Sequence, residues 1–402
     1  MRILKFEIDG DRLYKDGKFS MDLYATDRVA QPRDGSALRG VMRLGNSNIY
    51  TQNVIALSGI NASGKTTAIN LLRMVADYLS VSSDMRYDRY SPAAIPAKLN
   101  ESFGLKAIFW HRDKYYALDA ELGRGAADSI GSYVIRDERL YRFKKPYPTK
   151  KELATFDGFI AQSELLIHRA AQDNEPGALS AAEKTFLQDN MSVVSAIIGK
   201  RVKKYGIVTG HLEEKSYATP LVNAFDGSIE SLGWDPESEV YRLKFYGEPE
   251  RQLSRNAAES QLSSGTLVGA DLVQHAIYVL NHGGIMIVDE IERGLNKSLV
   301  ETIMNIFLSP TINKNGAQLV FTTHYPEIID GLPRKDNMYL LVRDESYRTE
   351  VVKYSDRVHR IENKKSEVIL SNLIRGSMPS YPKVRDLMAY VLASVKDSVN
   401  ES

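Results

Sequence analysis

"NVIALSGINASGKTT", Asn53–Thr67, decides the fold. The apolar run Val54–Leu57 feeds a loop that fits G-x-x-x-x-G-K-[ST] from Gly59 to Thr66. Beyond it, Ile69, Leu72, Val75, Ala76 and Leu79 recur at helical spacing, so the segment reads strand, loop, helix. In that setting the glycines let backbone N–H groups wrap a phosphate chain, and the helix N-terminus adds its positive end. Lys65 is expected to reach the β- and γ-phosphates and the Thr66 hydroxyl to ligate Mg²⁺. Gly59, Asn61, Ala62, Ser63, Gly64 and Thr67 complete the expected cradle. The loop points to a nucleoside triphosphate and leaves open what its energy is used for.

Three later stretches bear on that question. "GGIMIVDEIE" is a buried-type strand, Ile285–Val288, ending in Asp289 and Glu290. In phosphate-loop proteins an acid at such a strand end holds Mg²⁺, which assigns Asp289 to the metal. Glu290 would then face the γ-phosphate, where it could activate water as a general base. "QLSSGTLVGADL" opens a helix on Ser263, Ser264 and Gly265, whose hydroxyls and backbone donors suit an anion; simple N-capping by serine fits the same phrase. "AQLVFTTHYPEII" is a further short strand, Gln318–Phe321, with His324 just past its end, where it could sense the γ-phosphate.

Around these motifs the chain alternates helices and apolar strands from 260 to 345, which predicts a largely parallel α/β sheet. "RILKFEID" and "FSMDLYA" predict antiparallel N-terminal strands. Between them and the parallel region, "LKAIFWHRDKYYALDAEL" and "SYVIRDERLYRFKK" each read as a hairpin, around "RDK" and "RDE". The stretch from "KKELATFDGFIAQSELLIHRAAQ" onward reads as mostly helical. The expected organisation is a discontinuous head, 1–79 and 240–365, an inserted hairpin-and-helix lobe, 80–239, and a helical tail, 366–402. "VYRLKFYG" is expected to return the chain to the head.

Loop, serine-glycine signature, acidic strand end and histidine occur here in the order found in ATP-binding-cassette (ABC) ATPases. The chain resembles the branch with RecF, SMC and OLD-like proteins, whose signature reads like "LSSGT". Within it the likeness is to the short bacterial OLD/RecF-like AAA-family ATPases of phage-defence, or abortive-infection, systems. It covers 1–77 and 240–345. "DEIERGLN" departs from the group's Leu-His-Pro, since Asn296 and Lys297 follow Leu295. The resemblance implies ATP and Mg²⁺ as cofactors and head-to-tail homodimers, or higher homo-oligomers, that sandwich nucleotide. Lys65, Thr66, Asp289, Glu290 and His324 would act in cis, and Ser263 and Gly265 in trans. It also implies a metal-contacting glutamine between loop and signature, for which "GFIAQSELL" offers Gln162.

Composition bounds the rest. A chain of 402 residues, 43% hydrophobic and 26% charged, has the make-up of a soluble globular protein. A net charge of +1 gives no global pull toward nucleic acid or membrane. The absence of cysteine excludes disulfides, thiolate metal sites and cysteine nucleophiles. The charged N-terminus is unlike a leader, and no apolar stretch approaches the roughly 20 residues of a membrane helix, so a cytoplasmic location with no membrane partner is expected. No heptads are sustained, which predicts a compact particle and not a rod. Two basic clusters, Arg142, Lys144, Lys145, Lys150, Lys151 and Lys200, Arg201, Lys203, Lys204, could track a phosphate backbone or simply be solvated. The first expectation is therefore an ATPase switch that controls a separate nuclease or toxin effector, because no effector chemistry is visible and residues 325–402 do not read as a nuclease. Alternatives are a RecF-like DNA-repair ATPase that binds nucleic acid directly, and an ATP-binding scaffold with little hydrolysis.

Overall fold

The computed structural model describes residues 1–31, 37–80, 99–124, 133–170, 191–198, 205–208, 210–359, 364–378 and 381–400. The run quoted above forms β5 (Val54–Ser58), buried along its whole length. Its side chains alternate between two cores: Ile55 and Leu57 enter one and Val54 and Ala56 the other. Burial on both faces explains why the strand reads as an unbroken apolar run. Around it lie β10 (Tyr205–Ile207), β14 (Ile285–Val288), β15 (Gln318–Thr323), β16 (Met338–Arg343) and β17 (Thr349–Lys353). They form a six-stranded sheet in the order β10-β14-β15-β5-β16-β17. Every pairing is parallel except β16 with β17.

Helix α1 (Lys65–Ser80) leaves the phosphate loop and packs on the Ile55/Leu57 face. Its other side meets a second six-stranded sheet, all antiparallel: β1 (Arg2–Asp11), β2 (Lys18–Asp22), β6 (Leu99–His111), β7 (Lys114–Arg124), β8 (Tyr133–Phe143) and β9 (Ser163–Ala170), in the order β2-β1-β6-β7-β8-β9. Phe6, Ile8, Leu105 and Leu118 from that sheet share a core with Leu71, Leu72 and Val75 of α1. At its far end Tyr78 donates 2.7 Å to Glu138, a fully buried carboxylate that also accepts from Ser192 Oγ and the Val193 N–H. Burial pushes the Glu138 carboxyl above its usual range. The fold is thus α/β, a phosphate-loop head with a largely parallel sheet and antiparallel N-terminal strands.

The antiparallel sheet crosses the boundary drawn at residue 80, because β6 pairs with β1 along most of its length. Residues 99–170 continue the sheet of the N-terminal strands. Two local readings also change. "RDE" is no turn: β8 runs through it as one strand, with Asp137 and Glu138 in register with β7. The helical reading of "SELLIHRA" gives way to β9, preceded by α2 (Lys150–Ala154) and α3 (Phe156–Ile160). The turn at "RDK" does join β6 to β7.

The opposite face of the parallel sheet carries α4 (Ser264–His282) and α5 (Lys297–Leu308), which bury Leu272, Ala276, Val300 and Phe307 against Val54, Met286 and Phe321. "VYRLKFYG" does not rejoin that sheet. It forms β12 (Val240–Phe245) between β11 (Ile229–Asp235) and β13 (Arg251–Leu253), a small antiparallel sheet with its own core that includes Ala270 of α4. A further ribbon pairs β3 (Val41–Arg43) with β4 (Tyr50–Gln52). Near the C-terminus lie α6 (Lys365–Leu370) and α7 (Tyr381–Asn400). No helix among the described residues is long and apolar enough to cross a membrane.

Candidate functional site

The phosphate loop closes over the C-terminal end of β5. Gly59 has no room for a side chain, since a Cβ there would lie 2.5 Å from the Leu341 carbonyl and 2.6 Å from Ser63 Oγ. Gly64 sits at φ +97°, backbone that side chains disfavour, against Leu13. Ala62 also adopts positive φ, 60°. Neighbours outside the motif hold this shape. Tyr14 donates from its hydroxyl to the Gly64 carbonyl at 3.2 Å, and Thr349 Oγ1 donates to the Ser63 carbonyl at 2.8 Å.

Lys65 Nζ folds back on its own loop, donating to the Gly59 and Ile60 carbonyls at 2.7 and 3.0 Å. Burial lowers its pKa from the ordinary lysine value, and the nearby Asp289, Glu290 and Glu292 oppose the shift. At the end of β14, Asp289 accepts from Thr66 Oγ1 at 2.7 Å through one oxygen and from Thr322 Oγ1 at 2.5 Å through the other. Glu290 takes a left-handed backbone, φ 52°, with its N–H on Thr322 Oγ1 at 2.7 Å. His324 Nε2 lies 3.2 Å from Glu290 Oε1, and the His324 N–H donates to Glu292 Oε1 at 2.7 Å. These groups come together because β14, β15 and β5 are adjacent and parallel, so their C-terminal ends share one edge.

The result is an open cavity of about 880 Å³ lined by Asn61, Ala62, Gly64, Lys65, Thr66, Thr67, Glu290, Glu292, His324 and, beyond the motifs, Leu13, Arg293, Gly294, Tyr325 and Arg343. Its donors fit a nucleotide's phosphates. Among the described residues Ser63 Oγ is buried without a partner, and the Lys65 ammonium is held by its own loop's carbonyls. The Thr66–Asp289 oxygen separation of 2.7 Å is near the edge of an Mg²⁺ octahedron, about 2.9 Å for metal–oxygen bonds of about 2.05 Å.

Ser263, Ser264 and Gly265 do not line this cavity. Ser263 caps α4, accepting from the Thr266 N–H at 3.1 Å. Gly265 packs on the backbone carbonyl of Gly294, where a Cβ would collide. Ser264 is exposed and reaches a separate cavity of about 540 Å³ beside Asp289, Glu290 and Arg293. Gln162 is also elsewhere. It sits between α3 and β9, its carbonyl accepting from the Lys144 N–H in the antiparallel sheet, and it is not among the cavity residues. Its stretch opens a strand at the edge of that sheet.

Residues 94–330 match the family model described as AAA domain, putative AbiEii toxin, Type IV TA system. That span is more than half of the chain. The protein belongs to this AAA family. The match begins after the phosphate loop and takes in the serine-glycine phrase, the acidic pair and His324. Among curated proteins no sequence match was found. The SMC head domain from Thermotoga maritima is similar at 13% identity and TM-score 0.37, covering 88% of this chain and 99% of that one. At that score the likeness carries nothing beyond itself. Sequence reasoning missed Leu13, Tyr14, Thr322, Glu292, Arg343 and Thr349. Of these, only Thr322 and Glu292 lay inside phrases already singled out.

Proposed function

We propose that this AAA-family chain binds ATP with Mg²⁺, hydrolyses it, and uses the cycle as a switch on a separate effector in bacterial anti-phage defence, in the cytoplasm. The observation that carries the enzymatic part is the contact of Thr66 with Asp289 across two separate motifs, with Glu290 beside it and backed by His324. When bound, Mg²⁺ would supply positive charge that offsets the negative charge of the phosphates. Thr66 and Asp289 would hold that ion directly or through water. Lys65 would exchange its loop carbonyls for phosphate oxygens. Glu290 would take the proton of a water whose oxygen attacks the γ-phosphorus while the bond to the β-phosphate oxygen breaks, and His324 would orient that carboxylate. The strained backbone of Glu290 is the kind of local cost that recurs at functional sites.

The signature residues Ser263 and Gly265 are assigned to a partner copy's nucleotide in a head-to-tail dimer. Their position outside this chain's own phosphate cavity supports that reading. The defence role rests on the family's description as a putative AbiEii toxin of a toxin–antitoxin system, and the separate effector on a sequence in which an ATPase motif set is read and no effector chemistry is. Direct nucleic-acid binding finds less support. In the first basic cluster Arg142 pairs with Glu164, Lys145 with Glu152, and Lys150 with the Thr26 and Asp27 carbonyls. Residues 200–204, which hold the second cluster, lie outside the described residues.

The deciding experiment compares ATP turnover and ATP binding of the wild type and Glu290→Gln. Turnover should fall by roughly 100-fold or more with binding retained, the size expected for loss of a general base. Equal, slow turnover in both would favour an ATP-binding scaffold.

A further inference from the structure

Arg343 is one of two arginines that line the phosphate cavity beyond the motifs, the other being Arg293. It ends β16, on the flank of β5 opposite the acidic pair, because the sheet order is β14-β15-β5-β16. The end of this strand is fastened to the phosphate loop. Arg343 pairs across the β-ladder with Thr349, whose hydroxyl holds the Ser63 carbonyl and whose N–H holds the Leu13 carbonyl at 2.9 Å. Arg343 lines the phosphate cavity and the one beside it, which runs from Gly59 and Asn61 to Tyr347 and Met378. Its Nε is buried and has no hydrogen-bond partner, and among the described residues the guanidinium makes no ion pair. The nearest acid in sequence, Asp344, accepts from the Ser346 and Arg348 N–H groups through Oδ1 and forms no ion pair with Arg343 among the described residues.

A partly buried guanidinium without a carboxylate, beside an anion cradle, calls for an anionic ligand. We propose that Arg343 binds the nucleotide at the end away from the acidic pair, contacting the α-phosphate and ribose side shared by ADP and ATP. This rests on the nucleotide reading of the phosphate loop and adds to it which part of the ligand is read from β16. The γ-phosphate is assigned to the other flank, where Asp289, Glu290 and His324 stand on β14 and β15. Arg343 is therefore a grip on nucleotide as such and not a sensor of its terminal phosphate. The guanidinium's planar fork suits two oxygens at once, so a lysine there would keep the charge and lose the geometry.

The test is calorimetric titration of the full chain with unlabelled ATP and ADP, each with Mg²⁺, for wild type, Arg343→Gln, Arg343→Lys and Lys65→Ala. Arg343→Gln should weaken both nucleotides by a similar factor, roughly 10-fold or more, the range for a charge-assisted hydrogen bond. Arg343→Lys should recover part of each loss. Melting of the nucleotide-free variants at the wild-type temperature identifies the loss as one of binding; if Arg343→Gln does not fold, Arg343→Lys alone must weaken ATP and ADP alike. Binding of both within twofold of wild type, or a loss confined to ATP, overturns the proposal while the wild-type isotherm and the Lys65→Ala defect leave the phosphate-loop reading standing. A wild type that binds neither nucleotide overturns both.

Discussion

At residue scale the site depends on backbone that few side chains tolerate. Gly64 combines a φ of +97° with the approach of Leu13, and the turn it makes aims the loop's N–H groups inward. Gly64→Ala should therefore cost about 1–3 kcal/mol of strain. It should lower the melting temperature and weaken ATP binding at least tenfold by titration; unchanged binding would show that the loop is not read in this conformation. The loop glycines, Lys65, Thr66 and Asp289 were legible in the sequence because each lies in a short motif whose chemistry is local. Arg343 and Thr349 were not, because they reach the loop only through a strand pairing between segments about 280 positions apart in the chain. The residues after Gln162 show the same limit in reverse: they read locally as helical, while pairing with β8 makes them a strand.

At element scale, strands buried on both faces were readable and strands carrying charge were not. β5, β14 and β15 each carry an apolar run, Val54–Leu57, Ile285–Val288 and Leu319–Phe321. β8 carries "RDER" through its middle, which looks like a turn until Tyr78, Ser192 and Val193 satisfy Glu138 from outside the strand. β9 is the sheet's outer strand, with Leu165 half exposed, and its identity comes from its neighbour more than from its own residues. Helix α4 offers a pH-dependent prediction. His275 stacks one turn from the buried Asp271, with Nδ1 2.8 Å from its carboxylate, and Glu213 stands on the other side at 3.8 Å. Asp271 also accepts from the Gly210 N–H. The Asp271 hydrogen bond raises the imidazole pKa above its ordinary 6.5. A raised folded-state pKa contributes stability that is complete below 6.5 and fades as pH climbs through the folded value. The melting-temperature difference between wild type and His275→Asn should shrink from pH 6 to pH 9; a gap that is flat or widens over that range would refute the assignment.

For the whole molecule, the decisive prediction concerns copies. Ser263 is exposed at the N-cap of α4, outside the phosphate cavity. Ser263→Arg should leave ATP affinity within about threefold of wild type, since surface changes outside a ligand's cavity move binding little. If the proposed head-to-tail dimer forms, the substitution should nevertheless abolish it, measured by sedimentation with ATP in a Glu290→Gln background, and, alone, abolish turnover. Normal turnover in Ser263→Arg would mean that the signature does not act across a dimer. The parallel sheet and its helices were predictable at this scale. The continuity of β1 with β6–β9 was not, since it needs β6, from residue 99 onward, to come back alongside the first strand of the chain.

Helix α1 shares one core with both large sheets and is bolted at its end to Glu138. A lever fixed at both faces does not swing. The two sheets, α1 and the phosphate loop therefore form one packed block that also holds one face of α4, whereas the β11–β13 sheet packs around a core of its own that meets α4 at Ala270.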